Sequence, residues 1–336
     1  MRKEEFDPEV YEFYKAALEG PGFSADLSNI DLEFMRENEI KGHAKHLEPY
    51  DIEKRDITVK RSDGSEMWLR VYVPETVDVE EPEDATKNAT KNDEEAMPVI
   101  LYFHGGGFIM GSIEDHDPLC GKLADECGAI VAAPEYRLAP EHPFPACIED
   151  AVSAAEWALE HAGEFGGDPD ILIAAGDSSG ANISAALALL ARDGKAPKIS
   201  GLILFYGTYG CVDIEESASA KAYGQGGYVL PVNAIEKMME LYIPEGTDPD
   251  DYRLNPGKAK DLSGMPPSII VSGELDPLRD DGEEFARRLE EAGNEVCSIR
   301  ANGMMHGFML YWQKFSHAEA LLEKIGKMIR DGLSRK

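Results

Sequence analysis

The residues best placed to do chemistry lie in the run Gly176-Asp177-Ser178-Ser179-Gly180, a serine flanked at a spacing of two by glycine on either side. The run follows a short apolar stretch, residues 171 to 175, and opens a helix-like stretch from 179 to 192, so it occupies a strand-to-helix turn. In a turn this tight a side chain at 176 or 180 would collide with neighbouring backbone, and the serine hydroxyl is left projecting at the carboxyl end of its strand. Such a hydroxyl is a candidate nucleophile for acyl transfer. The competing reading is a glycine-rich turn in which Ser178 only caps the helix.

A neutral hydroxyl attacks efficiently only with a base in reach, and the base needs a carboxylate that fixes its tautomer. The apolar stretch 268 to 272 ends in Gly273-Glu274-Leu275-Asp276-Pro277, which places a carboxylate just past the carboxyl end of a strand, where ligand sites of open α/β sheets form. Asp276 is the candidate acid. A further strand-like stretch, 295 to 299, leads to a loop carrying Gly303-Met304-Met305-His306-Gly307-Phe308, and His306 is the candidate base. Glu274, Asp280 and Asp281 compete with Asp276 but also suit helix-start or surface charge. His43 and His46 lie three apart without further ligands nearby, so a metal site is not expected. His116 sits between Asp115 and Asp117 in a loop-like stretch and His142 in a proline-rich one; both precede the acid in the chain and read as polar surface.

Attack on an ester also builds negative charge on the carbonyl oxygen, which fixed N–H donors about 3 Å away stabilise. The run His104-Gly105-Gly106-Gly107-Phe108 follows the apolar stretch 99 to 103, and glycines let backbone amides approach that closely. The N–H of Ser179, next to the nucleophile, would be a second source. A phosphate cradle is the alternative, but neither Gly-Lys-Ser/Thr nor G-x-G-x-x-G is present in that run.

These groups need a scaffold that brings strand ends together. Continuous apolar runs at 99–103, 129–133, 171–175, 202–206 and 268–271 suit strands buried on both faces, and helical stretches at 149–161, 179–192 and 280–292 alternate with them. Alternation of this kind implies a parallel sheet with helical crossovers. Ahead of it, Ile57, Val59, Met67, Leu69, Val71 and Val73 alternate about Asp63-Gly64, a hairpin signal. Residues 78 to 96 are acidic and low in complexity, and read as a solvated insertion. Residues 211 to 260 leave the alternation with Gly224, Gly226, Gly227 and a helical piece near 232–242. Together with helix-like spacing in the first fifty residues (Val10, Phe13, Ala17, Ile30, Phe34, broken by Gly20-Pro21-Gly22) they could form a cap.

Composition narrows the partners. The 336 residues hold 33 Lys and Arg against 64 Asp and Glu, a formal charge of -31, while 43% are hydrophobic. A folded acidic globule results, with no basic footprint for nucleic acid or anionic membrane. So large an acidic excess is easier to tolerate where salt shortens the Debye length, which suggests a halophilic source and an acidic proteome. Five cysteines without C-x-x-C or Cys/His ligand spacing indicate neither a disulfide framework nor a zinc site. The start runs into acidic residues rather than an apolar leader, and no apolar run approaches eighteen residues, so a cytoplasmic protein without membrane insertion is expected.

Taken together, HGGGF at 104 to 108, Tyr136-Arg137-Leu138-Ala139-Pro140-Glu141 with Phe144-Pro145-Ala146, GDSSGAN at 176 to 182, Asp276-Pro277-Leu278-Arg279-Asp280 and His306-Gly307-Phe308 resemble the microbial hormone-sensitive-lipase-like carboxylesterases over roughly residues 98 to 330. The resemblance implies an α/β-hydrolase fold: a mostly parallel central sheet flanked by helices, with a helical cap. Residues 1–50 would be an N-terminal cap segment, 51–210 and 261–336 the two parts of the core, and 211–260 an internal cap insertion. It further implies hydrolysis of short- to medium-chain carboxylic esters without a cofactor, with Ser178 as nucleophile, Asp276 as acid and His306 as base. The amides of Gly106, Gly107 and Ser179 would form the oxyanion hole, supported by Gly105 and by His104, which orients the loop. Serine at 179 stands where the family usually has alanine and Glu135 where it commonly has aspartate; the acidic insertion has no usual counterpart. A small-molecule ester is the expected partner, with a homodimer through the strand near 295–299 as an option. A ligand-binding protein on the same fold, or an amide or lactone hydrolase using the same triad, are the alternatives.

Overall fold

The computed structural model describes residues 3–18, 32–43, 45–75 and 96–333. Of the acidic stretch 78 to 96 all but Ala96 lies outside the described residues, as do Gly20-Pro21-Gly22 and Ile30.

Eight strands form one sheet: β1 Glu53–Lys60, β2 Glu66–Val73, β3 Met97–Phe103, β4 Ile130–Pro134, β5 Gly167–Asp177, β6 Gly201–Phe205, β7 Ser268–Leu275 and β8 Val296–Met305. Their spatial order is β1-β2-β4-β3-β5-β6-β7-β8. The expected hairpin is β1 and β2, with Val59 opposite Met67 and Gly64 at φ +85° in its turn. β2 also pairs antiparallel with β4, and every other pairing is parallel. β8 therefore lies on an edge; it covers the strand read at 295–299 but runs on to Met305, so Gly303, Met304 and Met305 belong to the strand and not to the loop ahead of His306.

Both faces of the parallel strands are buried, which is why they read as unbroken apolar runs. Along β3, Val99, Leu101 and Phe103 join the core on one face, while Ile100 and Tyr102 join the core on the other. The first face is covered by α4 Ala146–His161, α5 Ser179–Arg192 and α8 Arg279–Glu291. The second is covered by α3 Ile113–Cys127 and α9 Ser316–Leu333, which pack on one another. Each Leu or Phe fully withdrawn from water at these layers contributes about 1.5–3 kcal/mol, so a charge at Leu101 or Phe103 would break the sandwich.

Helix α3 corrects the sequence reading of 113–127. His116 and Asp117 lie on a buried helix, not in a surface loop. Its ends carry recognisable signals: the Ser112 hydroxyl accepts the Asp115 N–H at 3.3 Å, and Gly128 closes the helix in the left-handed region at φ +58°.

The N-terminal helix α1 Pro8–Leu18 is anchored by buried Phe6 and Val10 and by Asp7, whose N–H donates to the Gly303 carbonyl just ahead of the His306 loop. Glu9 Oε2 accepts the Ser316 N–H at 2.6 Å, at the start of α9. Helix α2 Leu32–His43 follows, and the chain between β6 and β7 departs from the sheet to form α6 Ala218–Tyr223 and α7 Val232–Tyr242.

Candidate active site

Strand β5 ends at Asp177 and α5 begins at Ser179, leaving Ser178 alone in the turn at φ +52°, ψ -117°. A non-glycine residue held there costs on the order of 1–3 kcal/mol and persists only where its surroundings fix it. Here the Ser178 N–H donates to the Phe205 carbonyl at 2.8 Å, and its own carbonyl accepts the Ala181 N–H at 3.2 Å. The flanking glycines are required by space: a Cβ on Gly176 would stand 2.5 Å from the Gly180 backbone, and one on Gly180 would overlap the Phe103 carbonyl oxygen.

Three chain segments converge on this hydroxyl. Asp276, just past the end of β7, is fully buried, and its Oδ1 accepts the Leu278 N–H at 2.8 Å. Its Oδ2 lies 2.8 Å from Nδ1 of His306, whose Nε2 lies 3.0 Å from Ser178 Oγ. An acceptor-only carboxylate makes Nδ1 the donor, leaving Nε2 free to accept the serine proton. The Tyr206 ring meets the imidazole edge-on at 5.0 Å and limits its tilt.

The glycine loop faces the same point. Gly106, Gly107 and Phe108 have φ of +117°, +62° and +66°, a left-handed path open to glycine, and the Gly106 carbonyl turns away to accept the N–H groups of Ile109 and Met110. Among the described residues no acceptor is found for the amides of Gly106, Gly107 or Ser179. His104 holds the loop from behind: its Nδ1–H donates to the Gly105 carbonyl at 2.8 Å, and its ring stacks on Tyr136 at 4.1 Å. Burial, and next the proximity of His116, push the His104 imidazole down to about 4, so it is neutral at pH 7.

A cavity of about 280 Å³ brings Ser178, His306 and the three glycines together under mostly apolar walls. Ile235, Met238 and Met239 of α7 close it on one side, and Tyr14 of α1 with Tyr311 on another. A polar floor beneath an apolar chamber can polarise a carbonyl while accepting a hydrocarbon chain.

A protein-family profile described as alpha/beta hydrolase fold matches residues 100–310. The chain belongs to the α/β-hydrolase family. A carboxylesterase of Mycobacterium tuberculosis is 36% identical over 289 residues, spanning 83% of this chain and 82% of that protein. An arylesterase of Saccharolobus solfataricus is 34% identical over 310 residues, spanning 90% of this chain and 92% of its own length. Among solved structures, a hyperthermophilic esterase from the archaeon Pyrobaculum calidifontis superposes with a TM-score of 0.81 at 30% identity, covering 98% of this chain and 99% of that one.

In this hydrolase the carboxylates that competed with Asp276 have other tasks. Asp280 accepts the Ser219 N–H at 2.8 Å, and Glu274 accepts the Gly303 N–H at 2.8 Å. Asp281 is buried rather than surface charge, and its two oxygens take the amides of Tyr209, Gly210, Cys211 and Val212. His46 and His142 are exposed, the side chain of His43 lies outside the described residues, and no cluster able to hold a metal is found among the described residues.

Sequence reasoning missed one group. His116 Nε2 is 3.0 Å from Asp177 Oδ1, both buried directly behind the glycine loop. Burial opposes the charge on His116, but Asp177, together with Asp115 and the Ser112 carbonyl, outweighs it and raises the imidazole to about 9. Asp177 is held below the usual carboxylate range: burial opposes its charge, and His116 and the Tyr102 hydroxyl prevail. The capping serine at 112 and the glycine at 128 were the signals that could have placed His116 on a buried helix.

Proposed function

We propose that this hydrolase is a serine carboxylesterase that cleaves short- to medium-chain esters through an acyl-enzyme. The single observation that carries the reading is the unbroken chain of contacts from Ser178 Oγ to His306 (3.0 Å) to Asp276 (2.8 Å), beside glycine amides for which no acceptor is found among the described residues. Ser178 attacks the ester carbonyl as His306 Nε2 takes its proton, and the oxyanion is received by the amides of Gly106, Gly107 and Ser179. The imidazolium, stabilised by Asp276, then protonates the departing alcohol. A water deprotonated by the same imidazole attacks the acyl-serine and releases the acid. A cavity near 280 Å³, at the small end of ligand pockets, supports short to medium acyl chains. In this reading 1–50 and 211–260 form the cap, supported by the part Tyr14 and α7 take in the cavity wall, and 51–210 with 261–336 form the core. The relatives' printed names, carboxylesterase and arylesterase, agree with ester rather than receptor function.

Five free cysteines, four of them buried, support a reducing compartment such as the cytoplasm. No helix among the described residues is long and apolar enough to cross a membrane. The charge of -31 supports a salt-rich milieu, and an unfolding midpoint that stays flat or falls from dilute to molar KCl counts against it. The outer edge of β8 near residues 295–299 is the surface proposed for a homodimer. The catalytic assignment is tested by labelling with an organophosphonate, which should attach to Ser178 and to nothing in Ser178→Ala.

A further inference from the structure

A buried ion pair lies against the back of the glycine loop. One oxygen, Asp177 Oδ1, accepts the Tyr102 hydroxyl at 2.8 Å and the Gly105 N–H at 2.9 Å, and pairs with His116 Nε2 at 3.0 Å; the Gly105 N–H also lies 3.3 Å from that nitrogen. The other nitrogen of His116, Nδ1, is 3.0 Å from the Ser112 carbonyl, so both ring nitrogens face acceptors. Nδ1 must donate to the Ser112 carbonyl, and the Asp177 carboxylate 3.0 Å from Nε2 favours a second proton there, which makes the ring an imidazolium. The fit at Gly105 is equally close, because a Cβ there would fall on Asp177 Oδ2.

Asp177 precedes Ser178, and Gly105 precedes Gly106 and Gly107, whose amides have no acceptor among the described residues. The carboxylate thus ties the loop bearing one half of the oxyanion donors to the turn bearing the other half, Ser179. A carboxylate so near a developing oxyanion would oppose it if left uncompensated. The imidazolium supplies the opposite charge within 3.0 Å.

We propose that His116 and Asp177 are positioning residues for the oxyanion hole, Asp177 setting the separation between the glycine loop and the serine turn and His116 cancelling its charge. Neither touches the reacting atoms. The inference rests on the reading of Ser178 as nucleophile.

The test compares wild type, His116→Gln, the double variant Asp177→Asn with His116→Gln, Tyr102→Phe and Ser178→Ala. Each is assayed on p-nitrophenyl butyrate and with an aryl trifluoromethyl ketone, an inhibitor that serine adds to, giving a tetrahedral oxyanion as the serine proton passes to His306. Removing His116 leaves the carboxylate uncompensated, so kcat should fall about 10- to 100-fold with KM held within about threefold, and the ketone should weaken by the same factor as kcat/KM. In the double variant an asparagine oxygen still accepts the Gly105 N–H and no charge is left over, so kcat should recover about fivefold or more over His116→Gln. Tyr102→Phe, which only removes one donor from the same oxygen, should lose about three- to tenfold in kcat; it carries the test if His116→Gln does not fold. The inference is overturned if folded His116→Gln keeps kcat within twofold, if the ketone binds it as tightly as wild type, or if the double variant is slower than His116→Gln. With His116→Gln unfolded, a Tyr102→Phe variant of unchanged kcat overturns it. Activity surviving in Ser178→Ala instead sinks the nucleophile assignment, whereas an inactive Ser178→Ala beside an unimpaired His116→Gln sinks only this inference.

Discussion

Arg36, on α2, donates from Nε to the carbonyl of Ile109 at 2.8 Å, at the far end of the glycine loop. The same guanidinium donates to the Ala139 carbonyl at 2.9 Å and grips Glu141 with both Nη atoms. One N-terminal side chain thus fastens the loop that carries the amides of Gly106 and Gly107. Arg36→Ala is expected to lower kcat/KM by about three- to tenfold and stability by about 1–3 kcal/mol, since two carbonyls lose a charged donor. Arg36→Lys should not restore it, because an ammonium cannot replace the planar fork. Esterase kinetics and urea unfolding on the two variants check this; full activity in Arg36→Ala would remove α2 from the account.

Met238 bounds the acyl cavity directly beside Gly107, where a Cβ would meet its sulfur. Met238→Ala opens that wall, and the preferred ester should lengthen by about two carbons while acetate hydrolysis slows. A panel of p-nitrophenyl esters from acetate to palmitate reads the shift. An unchanged chain-length profile would place the acyl group elsewhere.

Asp276 fixes the imidazole through a 2.8 Å bond to Nδ1. Asp276→Asn would present an amide in place of the acceptor and favour the wrong tautomer, so kcat should drop about 10³- to 10⁴-fold while KM changes little. Stopped assays at high enzyme concentration measure the residue of activity. A loss smaller than tenfold would mean that another group orients His306.

The neighbouring histidines His104 and His116 titrate in opposite directions from the ordinary 6.5. His104, folded at about 4, stays neutral while the unfolded chain takes up a proton, so stability falls as the pH drops from about 6.5 to 4. His116, folded at about 9 and faced by Asp177, Asp115, His104 and Glu135, keeps a proton that the unfolded chain has released. Its contribution is whole below 6.5 and is lost as the pH climbs towards 9. One extra proton in the folded state gives a slope of about -1.4 kcal/mol per pH unit. Urea unfolding between pH 7 and 8 should show that slope in wild type and a flatter one in His116→Gln; equal slopes would contradict a charged His116.

Residues 176–180 and 104–108 were legible because glycines cluster beside a strand end, where a Cβ on Gly106, Gly176 or Gly180 would meet backbone. Asp276 and His306 were legible from their positions after strand-like runs, and α5 came out with the bounds read from its pattern. The same rule fails for His116. Its flanking aspartates look solvated in one dimension, yet Asp177, Lys54, Arg70 and Tyr72 approach from other segments to pair this cluster. Pairing at long sequence distance leaves no period in the chain. The spatial order of the strands and the reach of Arg36 to Ile109 were hidden for the same reason.

The most direct measurement is turnover of p-nitrophenyl butyrate by wild type and Ser178→Ala, with mass spectrometry of each after exposure to an organophosphonate. The account predicts turnover and one phosphonyl adduct on Ser178 in the wild type, and neither in the variant, with the variant's fold intact. Turnover at the wild-type rate by Ser178→Ala, or an adduct on a different residue, would contradict it.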